Sequence, residues 1–349
     1  MTDDPAQIKW SSSLKTWLSA NRPISAGADS IYQASYRPFN VQWLDATPGI
    51  IHRPAIINRY FPTPQHRNVG FYIVGAGSDK PFSLLMTGLV PDLSYWGSSG
   101  GEFFPRWTWQ PIEHVDESGQ VGFDLAGDAD DDPNIADGYC RIDNINDATL
   151  AAYQAQYGQD ATKDDIFHYI YGLLHSPEYR SQFIADLNKQ LPHVPRVTNM
   201  DDFRSFVAAG KELGALHVHY EDAALYPLEV VGDEPQGDPF DWYRVDKIRY
   251  MGKGGVDKTR IIYNEHITIS GIPEEAQDYL LGSRSGLDWI LERHQVKTDK
   301  ASGIINDPND WARKVGNPRY ILDLIQQVTT VSVRTMEIVK SLPPLAVGD

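Results

Sequence analysis

The chain is short of cysteine and of long apolar runs. Its 349 residues contain one cysteine, Cys140, which excludes an intrachain disulfide framework and a zinc site built from several cysteines. No apolar run reaches the roughly 18 residues that a bilayer-spanning helix needs. The polar start MTDDPAQIKW lacks the basic and apolar regions of a secretory signal. We therefore expect a cytoplasmic protein with no membrane partner.

Positive charge is also scarce, since 31 Lys and Arg stand against 47 Asp and Glu, a net charge of -16. This balance opposes DNA binding, which normally depends on Lys and Arg that neutralise phosphates. The charge is unevenly distributed, however. Residues 113–147 hold eleven acidic residues against one Arg, residues 34–72 hold four Arg against one Asp, and residues 244–300 are nearly balanced. A DNA-facing surface can therefore be assembled from separate basic segments.

The residue pattern predicts an α+β fold. Aromatic and β-branched residues broken by Gly and Pro predict strands over 31–125, whereas apolar residues at helical spacing predict helices beyond the acidic loop. We expect a β-rich N-terminal part and a helix-rich C-terminal part with an inserted β-hairpin. The expected domains are a leading helix or linker at 1–30, a β-rich part at 31–145, and a helical part at 146–349 with the hairpin at 240–273.

Several local predictions accompany this fold. We expect a helix at 8–20, helices over 146–190 interrupted near Pro177, a helix at 200–221, a glycine turn in the hairpin, helical structure at 274–295, a loop at 306–311 and a long closing helix.

Two motifs resemble nucleotide or methyltransferase sites. GAG at 75–77 follows a strand-like segment, but a proline and no helix come after it, so a β-turn is favoured over a cofactor loop. NPRY at 317–320 resembles the tetrapeptide with which adenine methyltransferases hold a flipped base, but Arg319 replaces the second proline. The favoured interpretation is the start of the last helix.

Two further motifs carry possible metal ligands. In HVHYED, His217 and His219 offer nitrogen donors, and a structural helix end is the alternative. Asp128, Asp130 and Asp132 begin a calcium-loop pattern that fails at Pro133 and again at Tyr139, so a solvated loop is favoured. We expect no catalytic residue and no metal in this chain.

Five stretches carry a family resemblance: residues 282–311, YRPF at 36–39, DIFHYIYGLLHSPEYR at 165–180, LPHVP at 191–195 and AGKELGALHVHYE at 209–221. From about Ile8 to Leu345 the chain resembles the C-terminal DNA-specificity region of type ISP restriction-modification enzymes. In that family a nuclease, a translocase and an adenine methyltransferase precede this region. The resemblance implies double-stranded DNA as partner, together with a methyltransferase and helicase portion in cis or in trans. It also implies that S-adenosylmethionine, ATP and magnesium belong to the missing upstream domains.

Candidate DNA contacts follow from the chemistry of readout, in which Arg or Lys pairs with guanine and Asn or Gln with adenine. Each of these residues has an alternative role as a structural or surface side chain. The candidates are Arg37, Arg53, Arg59 and Arg67 in the aromatic N-terminal segment, Lys253, Lys258 and Arg260 in the hairpin, and Arg284, Gln295, Lys297 and Lys300 in the stretch at 282–311.

The leading hypothesis is a non-catalytic module that recognises a DNA sequence in a restriction-modification system. One rival is a specificity subunit or remnant that docks on a methyltransferase partner and binds no DNA by itself. A second rival is a metal-dependent hydrolase centred on His217 and His219.

Overall fold

In the computed structural model, the described residues are 11–25, 27–52, 56–97, 100–112, 134–254, 256–300 and 303–347. Near the start of the described residues, Ser12–Ser19 form a helix, which Ser11 caps by accepting a hydrogen bond from the Leu14 backbone amide. This confirms the leading helix, although it is shorter than predicted.

The elements up to residue 143 are α1 (Ser12–Ser19), β1 (Ile31–Arg37), β2 (Asn40–Asp45), α2 (Ile57–Tyr60), β3 (Gly70–Val74), β4 (Leu84–Thr87), β5 (Val90–Pro91), β6 (Gly101–Pro105), β7 (Trp107–Pro111), β8 (Ile135–Ala136) and β9 (Tyr139–Asp143).

These strands form three small sheets with the orders β2-β1-β5, β4-β3-β6 and β7-β9-β8. Between β3 and β4, the Ser78 amide donates to the Gly75 carbonyl and Gly77 has a φ of 76°. The GAG motif is therefore the predicted β-turn, and the next element is a strand rather than a helix.

Strand β3 is buried on both faces, which explains its unbroken apolar run. Side chains alternate across a strand. Phe71 and Ile73 accordingly pack against the helices, together with Met86 of β4. Tyr72 on the opposite face packs into a second core formed with the C-terminal elements. The sheet β4-β3-β6 thus separates the two main hydrophobic cores.

The helical region begins with α3 (Asp147–Tyr157), α4 (Lys163–His175), α5 (Pro177–Gln182), α6 (Ile184–Leu187) and α7 (Met200–Val218). Thr162 and Asp165 form a capping box at the start of α4, and Ser176 ends α4 and caps α5, so the interruption predicted near Pro177 is confirmed. Helices α4 and α7 cross at glycines. A Cβ atom on Gly210 would lie 1.8 Å from the His168 carbonyl oxygen, so the two backbones approach more closely than any larger residue allows.

The C-terminal elements pack around one long helix, α12 (Tyr320–Lys340). Its apolar face supplies Leu322, Ile325 and Val328 to the core on the Tyr72 side of the sheet. The remaining elements are β10 (Glu229–Val231), α8 (Pro239–Trp242), β11 (Arg249–Met251), β12 (Asp257–Ile262), β13 (Thr268–Ser270), α9 (Glu275–Asp278), β14 (Leu280–Leu281), β15 (Arg284–Ser285), α10 (Gly286–Arg293), β16 (Lys297–Thr298), β17 (Ile305–Asn306) and α11 (Asn309–Val315).

This architecture confirms the α+β class, with strands concentrated early in the chain and helices late. Three local predictions need correction. The hairpin exists as β11 and β12 but belongs to a four-stranded sheet of order β10-β13-β12-β11, and its first strand is confined to residues 249–251. The helix predicted at 274–295 is divided by the β14-β15 turn, and the loop predicted at 306–311 contains the start of α11.

Candidate nucleic-acid interface

The YRPF motif is an anchor between the two halves of the chain. Phe39 occupies the turn between β1 and β2 with a φ of 56°, a strained region for a bulky residue. Its ring is buried and meets the Tyr220 ring edge-on at a centroid distance of 5.1 Å. Burial of the ring offsets the strain, because a large aromatic side chain removed from water stabilises by a few kcal/mol (~2–3).

Arg37 is buried beside this turn. Its side chain is 9% exposed, its Nη1 donates to the Asp92 carboxylate at 2.6 Å, and its guanidinium lies 4.0 Å from the centre of the Tyr36 ring. The alternative role considered from the sequence, an arginine stacked on an aromatic residue, describes this geometry. We therefore leave Arg37 out of the proposed interface.

The stretch at 282–311 starts with a rigid joint. Ser285 and Asp288 form a capping box at the start of α10, and Trp289 is buried with its indole N–H donating to the Leu281 carbonyl. Arg284 lies over the Trp289 ring and forms an ion pair with Glu292. At the other end of α10, the Gln295 amide donates to the Leu291 carbonyl at 2.9 Å. Arg284 and Gln295 are therefore held by the protein itself.

The β16-β17 hairpin follows this joint and is exposed. Lys297, on its first strand, donates from Nζ to the Glu292 carbonyl at 2.8 Å, and Lys300 lies beyond it in solvent. Ile305 on the second strand is 62% exposed. The hairpin base is fixed, because Asn309 exchanges hydrogen bonds with both backbone groups of Val245.

The three candidate residues of the β11-β12 hairpin differ in whether they already form an ion pair. Lys258 donates to both Asp288 carboxylate oxygens at 3.0 Å, and Arg260 pairs with Asp257 at 2.9 Å. Lys253 lies at the tip, between Gly252 and Gly254, and is exposed. Of the three candidates in this hairpin, Lys253 is therefore the one without an ion pair among the described residues.

Four candidate cations are exposed and have side chains that form neither a hydrogen bond nor an ion pair within the described part of the chain. They come from separate segments: α2, the loop before β3, the β11-β12 tip and the β16-β17 hairpin. They are Arg59, Arg67, Lys253 and Lys300. Arg53 lies outside the described residues.

A cleft along β2 was not predicted from the sequence. Two adjoining cavities, of about 560 and 280 Å³, share Val41 and Trp311 as walls. Arg67 lines the larger cavity, and the exposed Trp43 lines the smaller one. Trp43 lies directly across from Gln33 in the β1-β2 pairing, so both side chains share the face toward the cleft.

The HVHYED segment forms a structural helix end. Met86 donates its backbone N–H to the Tyr171 hydroxyl, which lies 2.6 Å from His217 Nδ1, and His217 Nε2 lies 2.9 Å from the Thr335 hydroxyl. Both ring nitrogens are therefore engaged, and burial lowers the pKa of His217 to about 3. His219 lies at the end of α7 and points to Asp222, with 3.6 Å between Nδ1 and Oδ2.

This geometry does not support the hydrolase hypothesis. Among the described residues, no group of three His, Cys, Asp or Glu side chains is placed to hold a metal ion. The calcium-loop candidates Asp128, Asp130 and Asp132 lie outside the described residues. No helix in the described part of the chain is long and apolar enough to cross a membrane.

NPRY is a helix boundary. Asn317 Oδ1 accepts from the Arg319 amide at 2.9 Å, and α12 begins at the next residue. Arg319 also forms an ion pair with Asp233, which fixes the helix start to the turn after β10. The favoured interpretation of this motif is confirmed.

Family and structural comparisons agree with each other. A family model of the type ISP C-terminal specificity domain matches residues 1–324. The chain is similar to the ATP-dependent type ISP restriction-modification enzyme LlaBIII bound to DNA, with 29% identity over 99% of this chain and a TM-score of 0.82. It is similar to a nuclease-deletion mutant of the type ISP enzyme LlaGI in complex with a DNA substrate mimic, with 32% identity over the whole chain and a TM-score of 0.78. It is also similar to DrdV in a DrdV-DNA complex, with 28% identity over 98% of the chain and a TM-score of 0.78.

The chain covers 20%, 24% and 31% of these three solved chains, respectively. No curated protein sequence matches it. The family model covers most of the chain, and the resemblance noted in the sequence motifs is confirmed. This protein therefore belongs to the type ISP C-terminal specificity domain family.

Proposed function

We propose that this chain recognises a double-stranded DNA sequence as the specificity module of a restriction-modification system. It binds an asymmetric site, presents the target adenine to a methyltransferase, and directs a translocase and nuclease. The observation that carries this proposal is the likeness of essentially the whole chain to three proteins in complex with DNA or a DNA mimic. The chain has a recognition role and leaves catalysis to other portions.

The exposed cations supply the phosphate contacts. Arg59, Arg67, Lys253 and Lys300 have no competing carboxylate among the described residues, so they are available to neutralise phosphates and set the register on the duplex. Base readout falls to the cleft along β2. Gln33 and Gln42 are exposed at its edge, and a glutamine amide matches the donor and acceptor pattern of adenine in the major groove.

The chemistry resides outside this chain. S-adenosylmethionine, ATP and magnesium are bound by methyltransferase and helicase portions, joined in cis or supplied in trans, and the complex acts in the cytoplasm. Support comes from the small share of the solved relatives that the chain covers and from the family description as a specificity domain.

The test is a fluorescence-anisotropy titration with random-sequence duplex at low and moderate salt, followed by sequencing of the bound fraction. We expect salt-sensitive binding and an enriched asymmetric motif. Arg67→Ala should weaken binding about 5-fold or more, as for loss of a charged contact, while Lys189→Ala, a change of an exposed lysine in the α6 region, should leave it unchanged.

A second candidate function is favoured by the net charge of -16 and by the many cations already held in ion pairs. In this case the chain docks on a methyltransferase partner and binds no DNA by itself. Absence of binding at low salt, combined with binding by the complex with its partner, would favour it over autonomous recognition.

A further inference from the structure

Trp43 is an exposed indole with an unusual setting. It lies on β2 at the mouth of the 280 Å³ cavity and is 46% exposed. Single exposed apolar side chains are common on protein surfaces. Trp43 is not isolated, because the Trp311 ring lies 6.0 Å from it at an angle of 48° and Lys314 Nζ lies 4.0 Å from its ring centre. Lys314 therefore lies over one face of the Trp43 ring, and Trp311 lies beside it.

The surroundings of this pair are polar rather than apolar. Asn40 and Gln42 line the same cavity, and the Gln42 amide donates to Asn40 Oδ1 at 3.3 Å. Arg293 also lines it, and its buried Nε–H has no hydrogen-bond acceptor among the described residues. Two acidic side chains line this cavity. Asp307 is paired with Arg244 at 2.8 Å, and hydrogen bonds from Arg244 and Asn309 hold its pKa below the usual value against the effect of burial. Asp310 is exposed and forms no ion pair among the described residues.

Aromatic rings beside a cation and amide groups have the chemistry that binds unpaired nucleotides. Stacking of a base on an aromatic side chain contributes ~1–3 kcal/mol and tolerates any base. A protein-docking surface would instead bury a larger continuous apolar area with few charges at its centre. Lys314 lies beside the two indoles, whereas Arg67 lines the adjoining cavity together with Glu221 and Asp222. Lys314 is therefore the cation placed to meet the phosphate of a base stacked on the indoles.

We propose that Trp43 and Trp311 form a stacking platform for one unpaired DNA base, with Lys314 facing the phosphate of that nucleotide. This inference rests on the proposed function, since presenting adenine to a methyltransferase requires its extrusion from the duplex. Extrusion leaves the opposite base without a partner. The platform takes up this base and so stabilises the opened duplex.

The experiment compares two duplexes of one sequence. Both carry 2-aminopurine, a base whose fluorescence falls on stacking, placed opposite thymine in one duplex and opposite an abasic site in the other. We expect the abasic duplex to bind about 5- to 150-fold more tightly, the range that a stacking contribution of this size implies. Its fluorescence should fall on binding.

Substitutions of Trp43 and Trp17 show whether the preference for the abasic duplex depends on the proposed platform. Trp43→Ala should remove the preference for the abasic duplex, and Trp43→Phe should retain most of it. Trp17→Ala is the matched control, because Trp17 also carries a stacked cation, Arg22, but lines a different cavity. This control should keep the full preference.

Three results would overturn the inference. Equal affinity for both duplexes contradicts the platform while leaving DNA recognition intact. A preference that survives in Trp43→Ala assigns the unpaired base to another site, and Trp43 then belongs to a protein contact. Binding to neither duplex at low salt contradicts both the platform and autonomous DNA recognition.

Discussion

The stretch at 282–311 contains two segments with opposite roles. The joint segment, residues 282–294, buries Trp289 and His294 and holds Arg284 in a stack and an ion pair. The hairpin segment, residues 295–306, exposes its described residues after Val296. One continuous sequence motif thus contains a buried structural segment followed by an exposed segment that is available for recognition. A distinctive motif in the sequence does not by itself indicate that its residues contact DNA.

The joint segment depends on close packing. A Cβ atom on Gly286 would lie 3.0 Å from Val328, 3.1 Å from the Ser332 hydroxyl oxygen and 3.2 Å from Phe39. Glycine at the start of α10 therefore lets this helix rest against both α12 and the β1-β2 turn. In the hairpin segment the two described strands pair with each other, and Val296 at its start donates its backbone N–H to the Asp246 carbonyl.

The largest expected effect is a difference in the free energy of unfolding between alanine variants of the joint segment and of the hairpin segment. Trp289→Ala removes a side chain that is 1% exposed, together with its hydrogen bond and its stacked Arg284, so it should lower the free energy of unfolding by about 3–5 kcal/mol. Ile305→Ala removes an exposed side chain and should change it by less than about 0.5 kcal/mol. Urea denaturation followed by circular dichroism measures both. Similar losses for the two variants would contradict the division.

A smaller effect concerns pH. Burial lowers the pKa of His294 to about 4, although its hydrogen bond to the Ile290 carbonyl opposes the shift. Below about pH 6.5 the unfolded chain therefore takes up a proton that the folded chain excludes, and stability present above pH 6.5 is lost as the pH falls toward 4.

For His294 alone the loss between pH 7 and pH 5 is about 2 kcal/mol. His217 and His175, whose pKa values are also lowered by burial, add losses of the same sign. His294→Gln should flatten the stability profile over this interval relative to the unsubstituted protein, as measured by urea denaturation at each pH. An unchanged slope would show that His294 is protonated in the fold.

The smallest effect concerns DNA affinity in salt. With five cations assigned to phosphates, Arg59, Arg67, Lys253, Lys300 and Lys314, the logarithm of the binding constant should fall with the logarithm of salt concentration at a slope of about -4.5. Lys300→Ala should reduce this slope by about 1, whereas Lys258→Ala, which removes a lysine already paired with Asp288, should leave it unchanged. Titrations at several salt concentrations measure the slopes, and equal slopes for the two variants would remove the distinction between paired and available cations.

Much of the fold was predictable because it follows periodic patterns. The strands around β3 are continuously apolar, and the helices α4, α7 and α12 have long apolar repeats. Side chains cap the starts of α4 and α7, and Pro177 marks the start of α5. The two-residue ladders β14-β15 and β16-β17 have no period to detect. The proposed domain division at residue 145 remains a prediction.

The candidate site was less predictable because ion pairing is a tertiary property. Arg37 and Asp92 lie 55 positions apart, and only the fold shows that this arginine is occupied while Arg67 is exposed. The cleft was missed for the same reason, since Trp43 and Trp311 come from opposite ends of the chain. The detectable signal was the placement of Trp43 in an alternating strand, where its neighbours Val41 and Asp45 fall on the same face.

The most direct test maps lysine reactivity by mass spectrometry, with and without the duplex enriched from random sequence. We expect protection of Lys253, Lys300 and Lys314 on DNA binding, and unchanged reactivity of Lys189 and Lys340. Two results would contradict the claim that the hairpin tips and the cleft along β2 face DNA. One is protection confined to Lys189 and Lys340, and the other is the same reactivity with and without DNA for all five lysines.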